Sequence, residues 1–124
     1  MGRSRYEKLD EYLRDRAGDA YRTAFRYDAG GWELLHVRED LATRELHALL
    51  PNVVARVREA QAWVSEEEYG RFGATTATME IHETGVLLHF PDSERAGVLV
   101  SLDVEAARNL VGFVAECESK LRER

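Results

Sequence analysis

The sequence predicts an α+β fold in which helices cover a five-stranded antiparallel sheet, with the element order α-β-β-α-β-β-β-α. Two observations support this prediction. Apolar residues change along the chain between the three-to-four-residue spacing of helices and the two-residue spacing of strands. Turn-forming residues join the strands into two hairpin-linked sets. Because 124 residues are enough for one ordinary core, we expect a single domain over residues 1–124.

The first helix and the first hairpin are predicted between Tyr6 and Arg38. Apolar residues recur at helical spacing from Tyr6 to Ala17, and Gly18 follows where a C-terminal cap belongs. From Asp19 the spacing becomes two. One strand face then carries Tyr21, Thr23, Phe25 and Tyr27, and the other carries Ala20, Arg22, Ala24 and Arg26. Residues 28–31 supply a turn, and residues 32–38 form the returning strand.

A long second helix is predicted after Asp40, whose carboxylate could accept hydrogen bonds from the first free amides. Its apolar residues alternate steps of four and three, which keeps one stripe on one side. The stripe consists of Leu46, Leu50, Val53, Val57, Ala60 and Val64. Pro51 interrupts the hydrogen bonding of this helix, so we expect a kink there or two helices that meet at Leu50.

A three-stranded meander and a final helix are predicted for the rest of the chain. Residues 65–73 lack periodicity and form a surface connection that Tyr69 and Phe72 could anchor. A turn at Thr84-Gly85 would pair Met79 with Phe90, and residues 91–97 would form a polar loop. The third strand contains Val98, Val100 and Leu102, and the last helix, capped by Asp103, has its apolar stripe at Val104, Ala107, Val111, Val114 and Leu121. Cys117 is expected to be a small buried hydrophobe on this helix.

Charge and composition disfavour several classes of function. The chain has 23 acidic and 17 basic residues and a net charge of −6, which disfavours a nucleic-acid partner. No apolar region follows Met1, and no stretch approaches the roughly 20 apolar residues of a membrane span. We therefore expect a cytoplasmic protein with no membrane contact. The single cysteine cannot form an internal disulfide, and no cofactor is predicted.

Two resemblances bear on these predictions. Tyr27-Asp28, the segment 32–41 and the segment 79–88 resemble a small family of halophilic archaeal proteins to which no activity is assigned. The element order of the whole chain is similar to that of the roadblock, longin and profilin-like group. That similarity implies a homodimeric, non-enzymatic platform or a regulator of small GTPases, by analogy of fold alone.

Two clusters of polar residues are candidate sites. In the predicted register Glu80 lies opposite His89, with His82 one diagonal away, and two imidazoles with a carboxylate could bind a transition metal. Solvent-exposed polar residues on the outer face of a hairpin are the alternative interpretation. Arg22 and Arg26 share a strand face, and Arg38 could join them if the hairpin pairing permits; these arginines could bind an anion, or could simply be solvated.

The sequence contains no phosphate-binding glycine loop and no nucleophile motif, so we predict no catalytic residue and no enzyme. The first hypothesis is a protein-interaction or regulatory module that binds a second copy or another protein through the second helix and an exposed sheet edge. Its contact residues would be Leu46, Leu50, Val53, Val57 and Trp63. The alternative is that this whole stripe packs on the domain's own sheet.

The second hypothesis is a small-ligand or signal sensor with a pocket between the sheet and the 65–73 loop. Its ligand-binding residues would be Arg22, Arg26, Trp32, Tyr69 and Phe72. A partner protein and a small ligand are therefore the binding partners that these two hypotheses imply.

Overall fold

The computed structural model describes residues 4–62, 75–93 and 95–122, and the predicted order of helices and strands is confirmed in them. The elements are α1 (Arg5–Ala17), β1 (Tyr21–Asp28), β2 (Gly31–Val37), α2 (Arg44–Ala62), β3 (Thr78–Ile81), β4 (Gly85–Ser93), β5 (Ala96–Asp103) and α3 (Arg108–Arg122). Short 3-10 helices lie at Gly18–Ala20, Glu39–Leu41 and Val104–Ala107. None of the helices in the described ranges is both long and apolar enough to cross a lipid bilayer.

The five strands form one antiparallel sheet, which confirms the predicted fold class, and their order in the sheet is β2-β1-β5-β4-β3. Each face of the sheet has its own apolar cluster, because side chains alternate across a strand. The cluster on the α1 side contains buried Leu13, Tyr21, Ala24, Val86, Val100 and Leu102, with Ala107 and Val111 packed against it. The cluster on the α2 side contains buried Phe25, Tyr27, Leu50, Val54 and Leu99. Helices therefore cover both faces.

A β-bulge at Arg22 changes the predicted faces of β1. Tyr21 pairs with Leu102, whereas Thr23 pairs with Ser101, so Arg22 is an extra residue on β1. Tyr21 consequently joins the α1-side cluster, while Thr23 and the residues beyond it keep the regular alternation. The prediction that Tyr21 shares a face with Phe25 is wrong for this reason.

The second hairpin has a different register from the predicted one. Ile81 pairs with Val86 and Met79 pairs with Leu88, so four residues, 82–85, lie between the innermost paired positions and the predicted pairing of Met79 with Phe90 is wrong by two. A shift of two residues leaves every side chain on its predicted face. The predicted loop at 91–97 is also wrong, since β4 and β5 continue pairing to Ser93 and Ala96. A proline is tolerated at position 91 because the pairing of β4 with β3 ends at His89.

The helix α2 is continuous through Pro51, so the predicted alternative of two helices is wrong. Pro51 is exposed, and so is His47, whose carbonyl lacks its usual donor and can bind water instead. The helix begins later than predicted. Its N-cap is Thr43, whose Oγ1 accepts a hydrogen bond from the amide of Leu46 at 3.2 Å.

The predicted role of Asp103 as a cap and the predicted burial of Cys117 are both wrong. Asp103 makes no side-chain hydrogen bond to the helix that follows, because its carboxylate binds two arginines. Cys117 is exposed, as is Leu121, because only the first part of α3 packs on the domain.

Candidate functional site

A concave surface lies between the edge strand β2 and the start of α2. Leu34 and Val37 of β2 pair with Phe25 and Thr23, which places them on the face that α2 covers. The 3-10 helix after β2 turns the chain back, so that Thr43 starts α2 beside the strand it has just left. The fold thus brings together two chain segments that are close in sequence.

This surface, the β2–α2 groove, encloses a cavity of about 360 Å³. It is lined by Leu34, Val37, Ala42, Thr43, Arg44, Leu46 and His47. The ring of Trp32 lies against the ring of His47, with centroids 5.3 Å apart and planes at 51°. Trp32 and Leu46 also pack on the α2-side cluster, so the groove adjoins the core.

The lining of the groove is mainly apolar. Its polar groups are the Thr43 hydroxyl, which caps α2, the imidazole of His47 and the guanidinium of the exposed Arg44. The groove can accept apolar side chains, with one positive charge at its rim.

The strand β2, which lines this groove, is also an edge strand of the sheet. In the sheet order β2 is a terminal strand, and no strand among the described residues pairs with its outer side. A terminal strand presents unpaired N–H and C=O groups to which another extended chain can hydrogen-bond. The groove and the edge together therefore combine backbone recognition with an apolar cavity.

The arginines of the predicted anion-binding cluster bind carboxylates of the domain itself, Arg22 and Arg38 at one place and Arg26 at another. Arg22 and Arg38 donate to the two oxygens of Asp103 at 3.0 and 2.7 Å. These arginines, Arg38 first, hold the pKa of Asp103 below its ordinary value. Arg26 instead donates to Glu33 at 3.0 Å, and its guanidinium lies over the ring of Tyr6 on α1.

The predicted metal ligands are only partly brought together. Nε2 of His82 lies 2.6 Å from the carboxylate of Glu80, which also accepts a hydrogen bond from Arg56. The hydrogen bond from Arg56 is the main reason why the pKa of Glu80 lies below its ordinary value. His89 is 2% exposed and its Nε2 is 2.7 Å from the hydroxyl of Tyr27. Within the described ranges, no three potential metal ligands lie together.

The predicted interaction stripe on α2 faces the domain's own sheet where its side chains are described. Leu50 is 2% exposed in the α2-side cluster, and Leu46 and Val53 pack against it. This supports the alternative that the stripe belongs to the core. Trp63, Tyr69 and Phe72, the side chain of Val57 and the proposed sensor pocket at 65–73 lie outside the described residues.

Sequence reasoning named Trp32 and Leu46 but missed the other residues of the groove. They were missed because the second helix was predicted to begin after Asp40, and Asp40 and Thr43 are both good N-cap residues. Asp40 accepts hydrogen bonds from Arg38 instead, so Thr43 caps the helix. The sequence signal for the correct helix start was the position of Thr43, which lies three residues before Leu46, the first apolar residue of the stripe.

Comparison with known protein families gives a match over most of the chain. A family model described as "Domain of unknown function (DUF7522)" matches residues 7–122. No curated protein and no solved structure gives a significant match.

Proposed function

The chain belongs to the DUF7522 family, and we propose that it is a non-enzymatic protein-interaction module whose β2–α2 groove binds an extended segment of a partner protein. The observation that carries this proposal is an apolar cavity of about 360 Å³ that is lined by side chains of a terminal strand. The partner's backbone would pair with β2, and its apolar side chains would enter the groove.

The geometry of a β-strand explains why the two features belong to one site. Alternate side chains of a strand added to β2 point to the α2 side of the sheet, where Leu34 and Val37 already point. Each apolar side chain buried there contributes about 1.5–3 kcal/mol. The expected ligand is thus a short segment with apolar residues at every second position.

The charge of the groove limits which partner segments fit it. Arg44 is the charged residue of its lining, while the chain as a whole carries a net charge of −6. A segment with an acidic residue beside its apolar residues would meet Arg44 without a like-charge contact. We therefore expect a preference for apolar segments with one acidic flank.

Peptide display gives a direct test. A library of random 12-residue peptides would be selected on the immobilised full chain, and enriched peptides would be assayed against two variants. Ala42→Glu places a carboxylate in the groove, whereas Ala48→Glu makes the same change at an exposed position of α2 outside it. We expect Ala42→Glu to weaken binding at least tenfold and Ala48→Glu to leave it unchanged.

The mode of binding is tested with the same peptides. Methylation of alternate backbone nitrogens keeps the side chains but removes the donors that strand pairing needs. Loss of binding on methylation supports the proposal. Failure to enrich any peptide, or equal binding by the Ala42→Glu variant, would refute it. A second copy of this chain as the occupant would appear as an increase in mass that Ala42→Glu abolishes.

A small-ligand sensor is the second candidate, and the cavity itself favours it. About 360 Å³ lies at the lower end of the ~300–1,000 Å³ that small-molecule sites occupy. A thermal-shift screen of apolar metabolites would show a rise in melting temperature that Ala42→Glu removes. Such a ligand would compete with the selected peptides for the same groove.

A further inference from the structure

The second half of α3 extends away from the body of the domain. Ala107 and Val111 pack against the α1-side cluster, but every described side chain from Ala115 to Arg122 is exposed. Leu121 is 84% exposed. This segment is about 12 Å long at the 1.5 Å rise of an α-helix, and a helix this short gains most of its stability from packing.

One side of the exposed segment is apolar. Leu110, Cys117 and Leu121 are separated by seven and four residues, which places them on nearly the same line along the helix. Leu110 is also exposed, so the line continues toward the packed part of α3. The spacing is that of the contact line in paired helices.

The charges on the same segment indicate which kind of partner fits. Glu116 and Glu118 come first, and Lys120 and Arg122 follow. A second copy lying antiparallel places the acidic half of one helix beside the basic half of the other. A parallel copy places like charges together, which costs energy.

We propose that α3 of one chain pairs antiparallel with α3 of a second copy through Cys117 and Leu121. In the symmetric register that this requires, Cys117 of one chain faces Leu121 of the other, and the contact is isologous. The contact area is small because the exposed segment is short, so the dimer is reversible and depends on concentration. A dimer of this kind presents two β2–α2 grooves, which would raise the affinity for a partner that carries two binding segments.

Sedimentation equilibrium between about 10 µM and 1 mM tests the pairing. The apparent mass of the wild type should rise from the 14.1 kDa of one chain toward twice that value. Leu121→Asp should stay at the mass of one chain, and Leu49→Asp, the matched change at a 55% exposed leucine on α2, should behave as the wild type. Circular dichroism checks that both variants are folded. A wild type that stays monomeric throughout, or a dimer that survives Leu121→Asp, would overturn the proposal.

The orientation is tested by disulfide trapping. In the antiparallel pair, Leu121→Cys places a new thiol beside Cys117 of the other copy. Mild oxidation should therefore give a covalent dimer in which a disulfide joins position 117 of one chain to position 121 of the other, as mass spectrometry of the dimer can show. Cross-links only between identical positions would indicate a parallel pair and refute the proposed arrangement. The Ala42→Glu variant should dimerise like the wild type, which separates failure of this proposal from failure of the proposed function.

Discussion

Replacing Gly97 by alanine should destabilise the protein although the backbone at this position is ordinary. The glycines of the described chain with positive φ are Gly18 and Gly31, so the cost at Gly97 is steric. A Cβ there would lie 2.7 Å from the hydroxyl oxygen of Tyr27 and 3.0 Å from the carbonyl oxygen of Phe90. Gly97 faces Tyr27 across the β1–β5 pair, so the tyrosine ring crosses the position that a side chain would occupy.

The magnitude follows from what would have to move. Tyr27 is 3% exposed, and its hydroxyl lies 2.7 Å from Nε2 of the buried His89, so the ring cannot shift without loss of that hydrogen bond. Overpacking costs about 1–3 kcal/mol. The lost hydrogen bond adds about 1 kcal/mol. We therefore expect Gly97→Ala to lower the free energy of unfolding by about 2–4 kcal/mol, or the melting temperature by about 8–16 °C for a domain of this size.

Urea denaturation followed by circular dichroism measures this difference, with Gly112→Ala as the matched control. Gly112 is exposed on α3, and a Cβ there meets nothing within 4 Å. The same substitution at Gly112 should stabilise the protein by about 0.5–1 kcal/mol, because alanine favours a helix more than glycine does. In a Tyr27→Phe background Gly97→Ala should cost less, since the nearest contact atom is absent. A Gly97→Ala variant within 0.5 kcal/mol of the wild type would refute the steric argument.

Three further predictions concern α2 and the charged network. Leu50→Ala should cost about 2–5 kcal/mol in urea denaturation, whereas Leu49→Ala should change stability by less than about 0.5 kcal/mol; equal effects would contradict the placement of Leu50 in the core. Thr43→Ala should cost about 1 kcal/mol by removal of the N-cap, Thr43→Ser should restore most of it, and no loss in the alanine variant would argue against this helix start. Because two arginines lower the pKa of Asp103, its carboxylate stabilises the folded state above about pH 4 and loses this effect as the pH falls through the folded-state pKa. The difference in urea midpoint between Asp103→Asn and the wild type should therefore shrink from pH 7 to pH 3, and a constant difference would contradict the pairing.

Periodicity predicted the helices and strands but not the irregular positions in the sheet. The alternation of β1 reads continuously through Arg22, and the bulge there depends on how Tyr21 and Thr23 meet Leu102 and Ser101 of β5. That partner strand is far along the chain, so a local pattern carries no signal of the bulge. The prediction that Arg22 and Arg26 share a strand face also assumed an unbroken alternation through this bulge.

The candidate site was harder to predict than the fold because it depends on a choice between competing interactions. Asp40 and Thr43 are equally good caps in isolation, and Arg38 decides between them by binding Asp40. The buried pair of Tyr27 and His89 was also missed, because it needs β1 and β4 to lie on either side of β5. Both failures concern contacts that exist only once the strand order is known.

The pairing of β1 with β5 also determines the order in which the domain can fold. β1 and β2 are joined by a short turn and can pair early, but the other edge of β1 has no partner until β5 is available. Tyr21 faces Leu102 there, so this contact spans most of the chain and slows folding through its long loop closure. A nascent chain that ends before Ala96 would expose an open edge of β1, where aggregation begins. The sheet is thus completed at its centre, by the strand that is made last.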